Sequence, residues 1–104
     1  MTDAQLQEVA QQFAILAEPS RLKILRALMG GAMTVTELIE ATGMKQGNVS
    51  KHLGILLQAR FVSRGQEGNY ARYRLANPVL FPLCELMCGS LEEDAKRRAR
   101  EWQG

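Results

Sequence analysis

The stretch TVTELIEATGMKQGNVSKHLGIL, residues 34–56, constrains this chain more than any other part of it. Thr34 followed by Glu37 has the pattern of a capping box, in which each side chain bonds the other residue's backbone amide, and Leu38 and Ile39 supply a short apolar face. Gly43 then stops the segment, because glycine takes the left-handed conformation that closes a helix without steric cost. After a brief turn Val49, Leu53 and Leu56 fall on one side at helical spacing, while Gly47, Ser50, Lys51, Gly54 and Gln58 point the other way. The expected result is a short helix, a tight turn and a longer helix.

The flanking segments extend the pattern. Thr2 or Asp3 caps a first helix running to about Ala17, with Leu6, Val9, Ala10, Phe13, Leu16 and Ala17 as its apolar stripe. Pro19 suits the first turn of a second helix, with Glu18 or Ser20 to satisfy free amides and Leu22, Leu25, Leu28 and Met29 facing inward, until Gly30-Gly31 ends it. FVSRG and NYARYRL read as two strands joined at Gln66-Glu67-Gly68-Asn69, a β-hairpin. Asn77-Pro78 reads as the cap and first position of a last helix, whose stripe is Leu80, Leu83, Cys84, Met87, Cys88 and Leu91. Glu92/Lys96, Glu93/Arg97 and Asp94/Arg98 are acid-first pairs at i,i+4 that support its exposed end.

The sum is a single domain over residues 1–104, mainly α, of about five helices plus a two-stranded hairpin in the order of a winged helix-turn-helix. In such a unit the short helix braces the longer one across the DNA backbone into the major groove. Charge agrees with this reading. Residues 45–74 hold Lys45, Lys51, Arg60, Arg64, Arg72 and Arg74 against Glu67 alone, a net +5, although the whole chain is only +2. A basic middle that coincides with helix and hairpin is the footprint of a phosphate-binding face.

The runs AEPSRLKILRAL, TVTELIEATGMKQGNVSKHLGIL and FVSRGQEGNYARYRL together resemble the ArsR/SmtB family of metal- and ligand-responsive repressors, over roughly residues 10–80. The resemblance implies a homodimer on double-stranded operator DNA, with the fourth helix in the major groove, the hairpin as a wing and the first and last helices pairing the subunits. Carried onto this sequence, Gln46, Asn48, Ser50, Lys51 and His52 become the groove-facing candidates. Gln46 and Asn48 suit adenine, Ser50 phosphate or base, and Lys51 guanine or phosphate; Arg64, Arg72 and Arg74 on the hairpin suit phosphates or the minor groove.

Two departures matter. Where the family begins the fourth helix with Ser and carries Pro two positions later, this chain has Lys45 and Gly47. Lysine is a poor N-cap and its charge opposes the positive end of the helix dipole, so a late start is expected, with Asn48 as the cap and Gln46 moved into the turn. The family's paired cysteines in the third helix and its His/Asp/Glu zinc site in the last helix are also absent, so arsenic or zinc sensing is not inherited from the resemblance.

Cys84 and Cys88 leave two readings open. At i,i+4 they share a helix face and could bind one thiophilic metal, metalloid or oxidant together, or they could be small buried hydrophobes among Leu80, Met87 and Leu91. His52 is the only histidine, which rules out a histidine-based metal site within one chain, and its helical angle flanks the buried stripe. No nucleophile–base–acid set and no glycine-rich phosphate loop supports an enzyme. The rival to a repressor is a winged-helix module used for protein contacts without DNA binding. No apolar run approaches membrane-spanning length and MTDAQLQEVAQQ lacks a signal-peptide layout, so a cytoplasmic protein without a membrane partner is expected.

Overall fold

The computed structural model describes residues 1–103. It contains α1 (Asp3–Leu16), α2 (Pro19–Leu28), α3 (Val35–Thr42), α4 (Gln46–Gln58), an antiparallel hairpin of β1 (Val62–Glu67) and β2 (Tyr70–Leu75), and α5 (Leu80–Gln103). The winged helix-turn-helix expected from the sequence is present.

Side-chain caps set most of the helix starts. Thr2 Oγ1 accepts from the Gln5 amide at 3.2 Å while Gln5 Oε1 accepts from the Thr2 amide at 2.8 Å, and Thr34 and Glu37 make the same exchange at 3.2 and 3.1 Å. Glu18 caps α2 by accepting from Arg21 N at 3.0 Å, with Pro19 in the first turn. Gly43 closes α3 at φ 71°, as its position predicts. α4 ends differently. Arg60, at φ 64°, occupies the left-handed position, with its amide donating to Leu57 O and the Phe61 amide donating to Leu56 O, both at 3.0 Å. That is the paired closure usually built on glycine, adopted here by a side-chain-bearing residue.

Three boundaries depart from expectation. α4 starts at Gln46 and not at a cap on Asn48, although Lys45 makes no side-chain cap bond. The hairpin turn is only Gly68-Asn69, because Glu67 already pairs with Tyr70; Gly68 at φ 60° supplies the positive angle that a tight two-residue turn needs. α5 begins at Leu80, since Asn77 Oδ1 takes the Val79 amide at 3.0 Å in a local turn, and Pro82 falls inside the first turn, where its missing N–H breaks no bond.

The core gathers Ile24, Leu25 and Leu28 of α2, Leu38 of α3, Val49, Leu53 and Leu56 of α4, then Phe61, Val62 and Leu80. The wing is fastened to it by Met33 and Tyr73, which exchange backbone hydrogen bonds of 2.9 and 2.8 Å and add a rung to β2. α1 contributes no buried residue, and Leu6 and Phe13 of its stripe are more than half exposed. Beyond Leu80, α5 is equally uncovered, with Leu86, Met87 and Leu91 open.

Candidate nucleic-acid interface

The recognition helix is held from behind and bare in front. Val49, Leu53 and Leu56 are essentially fully buried, whereas Gln46, Gly47, Asn48, Ser50 and Lys51 are exposed. Packing of those three apolar side chains explains why the helix forms from Gln46 onward without a cap: the core holds the helix, and water can satisfy its exposed first-turn amides. Lys45 thus stands free beside open backbone N–H groups, an arrangement that favours an approaching phosphate. Cap statistics, which describe the unliganded helix, mark Lys45 as a defect, whereas its place in the basic segment 45–74 already suits a phosphate.

His52 departs from the groove-facing set. At about 100° per residue it lies roughly 40° beyond Leu56, at the edge of the Val49–Leu53–Leu56 stripe, and it is 9% exposed. Its Nδ1 is 3.4 Å from Arg21 Nη1 and its Nε2 is 3.7 Å from Glu18 Oε2. Its ring nitrogens face these two partners at the α1–α2 corner. Burial acts to raise the Glu18 pKa, but the amides of Arg21 and Ser20, together with the charges of His52 and Arg21, outweigh it and hold the carboxyl below its ordinary range.

The wing divides the three arginines. Arg64 stands opposite Tyr73 and Arg74 opposite Ser63, so these two project from opposite faces of the hairpin, and both are exposed. The Arg74 guanidinium lies over Gly65, 3.6 Å from where a Cβ would stand, an ordinary contact distance. Arg72 is already paired within the chain. Its Nε meets Glu67 Oε2 at 2.7 Å and its Nη1 meets Glu37 Oε1 at 3.2 Å, so its charge is engaged in tying the wing to the start of α3. The Thr34 amide and hydroxyl, and then Arg72, hold Glu37 below the usual carboxylate range. Tyr70 is 70% exposed beside the turn, while Tyr73 packs against the core.

Away from this face, α1, α2 and α5 enclose an open groove of about 700 Å³, walled by Phe13, Leu16, Leu22, Leu83, Met87 and Leu91. Both cysteines line it as free thiols, Cys84 half-buried and Cys88 exposed. Burial, and then the neighbouring Cys88, push the Cys84 thiol above its usual pKa. Among the described residues no cluster of three or more His, Cys, Asp or Glu side chains could hold a metal within one chain, so these two soft donors would need others from outside it. Among the described residues no helix is long and apolar enough to cross a membrane.

Residues 18–64 match the family described as bacterial regulatory protein, arsR family. The chain is 38% identical over 77 residues to a probable mercury resistance operon repressor of Streptomyces lividans, a match covering 74% of this chain and 62% of that one. It is 37% identical over 68 residues to the transcriptional repressor SdpR of Bacillus subtilis, covering 65% and 76%. Several curated relatives are longer; the chain spans 59% of the regulator KmtR of Mycobacterium tuberculosis. Among solved structures, Rv0081 of M. tuberculosis superposes with a TM-score of 0.83 at 28% identity, covering 94% of this chain and 99% of that one. The antimony-specific repressor AntR superposes at 0.80 with 35% identity, covering 91% and 86%. The homodimeric winged helix-turn-helix DNA-binding domain Mb0332 of Mycobacterium bovis does so at 0.81 with 30% identity, covering 93% of each.

Proposed function

Because the chain belongs to the ArsR family of bacterial regulatory proteins, we propose that it is a cytoplasmic, homodimeric repressor that blocks transcription by occupying operator DNA. The observation that carries this reading is the bare polar face of α4, held by a fully buried apolar back and flanked by the free cations of the wing. On it Gln46, Asn48, Ser50 and Lys51 meet base edges, while Lys45, Arg64 and Arg74 meet phosphates. His52 and Arg72 serve the fold instead.

α1 and α5 of two subunits cover each other's apolar surface. A two-fold dimer presents its recognition helices about 34 Å apart, one turn of DNA, which calls for an inverted-repeat operator. The binding test is a titration of duplexes selected from a random library at several salt concentrations. A repressor loses affinity steeply with salt through counterion release; failure to select any duplex would refute the reading and favour a protein-contact module.

Cys84 and Cys88 are the entry point of the releasing signal. They would hold a thiophilic metal or metalloid together with thiols of the second subunit, and such an ion supplies strong sulfur bonds whose geometry the subunits must accommodate. An oxidant joining thiols across the subunits would act on the same packing; within one helix the pair is poorly oriented to bridge. Binding read by sulfur-to-metal absorption and by operator release, both abolished in Cys84→Ser/Cys88→Ser, is the expected result. Release that persists in that variant assigns the cysteines to packing.

A further inference from the structure

His52 is the one buried polar side chain among the described residues, and it sits in the middle of the recognition helix. An aliphatic residue there would fill the same space without the cost of removing an imidazole from water. What the imidazole adds is direction. Arg21 Nη1 lies 3.4 Å from Nδ1 and Glu18 Oε2 lies 3.7 Å from Nε2, so one ring nitrogen faces a guanidinium and the other a carboxylate. These partners are anchored in turn. Arg21 Nε donates to the carbonyl of Ile15 near the end of α1, and Glu18 accepts the Arg21 amide at the start of α2. One cluster thus ties the α1–α2 corner to the reading helix.

Resting on the DNA-binding reading above, we propose that Glu18, Arg21 and His52 form a joint fixing the rotation at which α4 is presented to DNA. His52 is then a positioning residue for sequence reading. Apolar packing by Val49, Leu53 and Leu56 is non-directional and tolerates a roll of the helix about its axis. At a side-chain radius of roughly 5–6 Å a roll of about 20° moves a contact by roughly 2 Å. A hydrogen bond to a base edge does not survive that displacement, whereas attraction to a phosphate barely changes. The joint therefore bears on specificity and leaves non-specific affinity alone.

The experiment measures affinity for a duplex selected by the wild-type protein from a random library, and for a scrambled duplex of equal length at the same salt. His52→Ala and Arg21→Lys, which keeps the charge but cannot hold both partners, are each expected to weaken the selected duplex about ten-fold and the scrambled one less than two-fold. The double variant is expected to be no weaker than the poorer single, and His52→Gln, whose amide can accept from Arg21 and donate to Glu18, to regain most of the loss. If His52→Ala fails to fold, Glu18→Gln, which retains the cap acceptor and removes the charge facing His52, carries the same comparison. Equal loss on both duplexes, additive losses in the double variant, or an unchanged specificity ratio would overturn the joint while leaving DNA binding intact. A wild-type protein that selects no duplex overturns both.

Discussion

α2 and α5 carry similar apolar stripes and meet opposite fates. In α2, ten residues long, Ile24, Leu25 and Leu28 are sealed in the core; in α5, twenty-four residues long, Leu80 is sealed while Met87 and Leu91 stand 59 and 66% exposed. A periodic stripe in a sequence states that something covers it, and does not state whether the cover lies in the same chain. α2 finds its cover in α3 and α4, which follow it closely; α5 arrives last, when the core is complete. Burying a side chain such as Leu or Met contributes about 1.5–3 kcal/mol, so the uncovered stripe is a large reserve for association.

The sharpest test of this contrast is a matched pair of variants. Leu56→Ala, in the sealed region, should lower stability by about 2–5 kcal/mol at any protein concentration, read by thermal or urea unfolding. Met87→Glu, in the open stripe, should leave the unfolding of the isolated chain almost unchanged yet weaken dimerisation by about 2 kcal/mol or more, read by sedimentation across a dilution series. A monomeric wild type, or a Met87→Glu variant that unfolds as readily as Leu56→Ala, would erase the distinction. Thr34→Ala removes a cap in the sealed region and should cost about 1 kcal/mol in the same unfolding assay. The smallest effect concerns pH. Glu37 is held below its ordinary value, so it contributes stability at neutral pH that is lost as pH falls from 4.5 through its folded pKa. Glu37→Gln should therefore flatten the acid limb of the stability profile; an unaltered limb would mean that the bonds to Thr34 are worth nothing in solution.

What the sequence disclosed follows the range of the interactions involved. The Thr34–Glu37 exchange, the left-handed Gly43 and the placement of Pro19 depend on neighbours within a few residues, and each was legible. The start of α4 was not, because cap preference is a local rule and packing of Val49 and Leu53 overrode it. The Arg72–Glu37 pair was illegible for the same reason: the partners lie 35 residues apart, and no local pattern announces them. Of the three acid-first pairs expected on α5, only Asp94–Arg98 forms within 4 Å among the described residues, as exposed pairs hold long side chains only weakly. His52 was half legible, since its angle already placed it at the edge of the buried stripe while its family position pointed to DNA.

The left-handed Arg60 has a consequence for how the protein can change. Between the last residue of α4 and the first of β1 the chain spends only Ala59, Arg60 and Phe61, and two backbone bonds from that segment hook back onto Leu56 and Leu57. There is no slack: one inserted residue would break both hooks, draw Phe61 from the core and re-aim the wing. The hairpin tip at Gly68-Asn69 and the Gly30-Gly31 loop, by contrast, are exposed and can lengthen without disturbing either partner. Helix and wing therefore behave as a caliper with a fixed opening. Exchanging side chains on its two arms changes what such a chain can touch without changing that opening, whereas added length is accommodated at the tip and at the loop before α3.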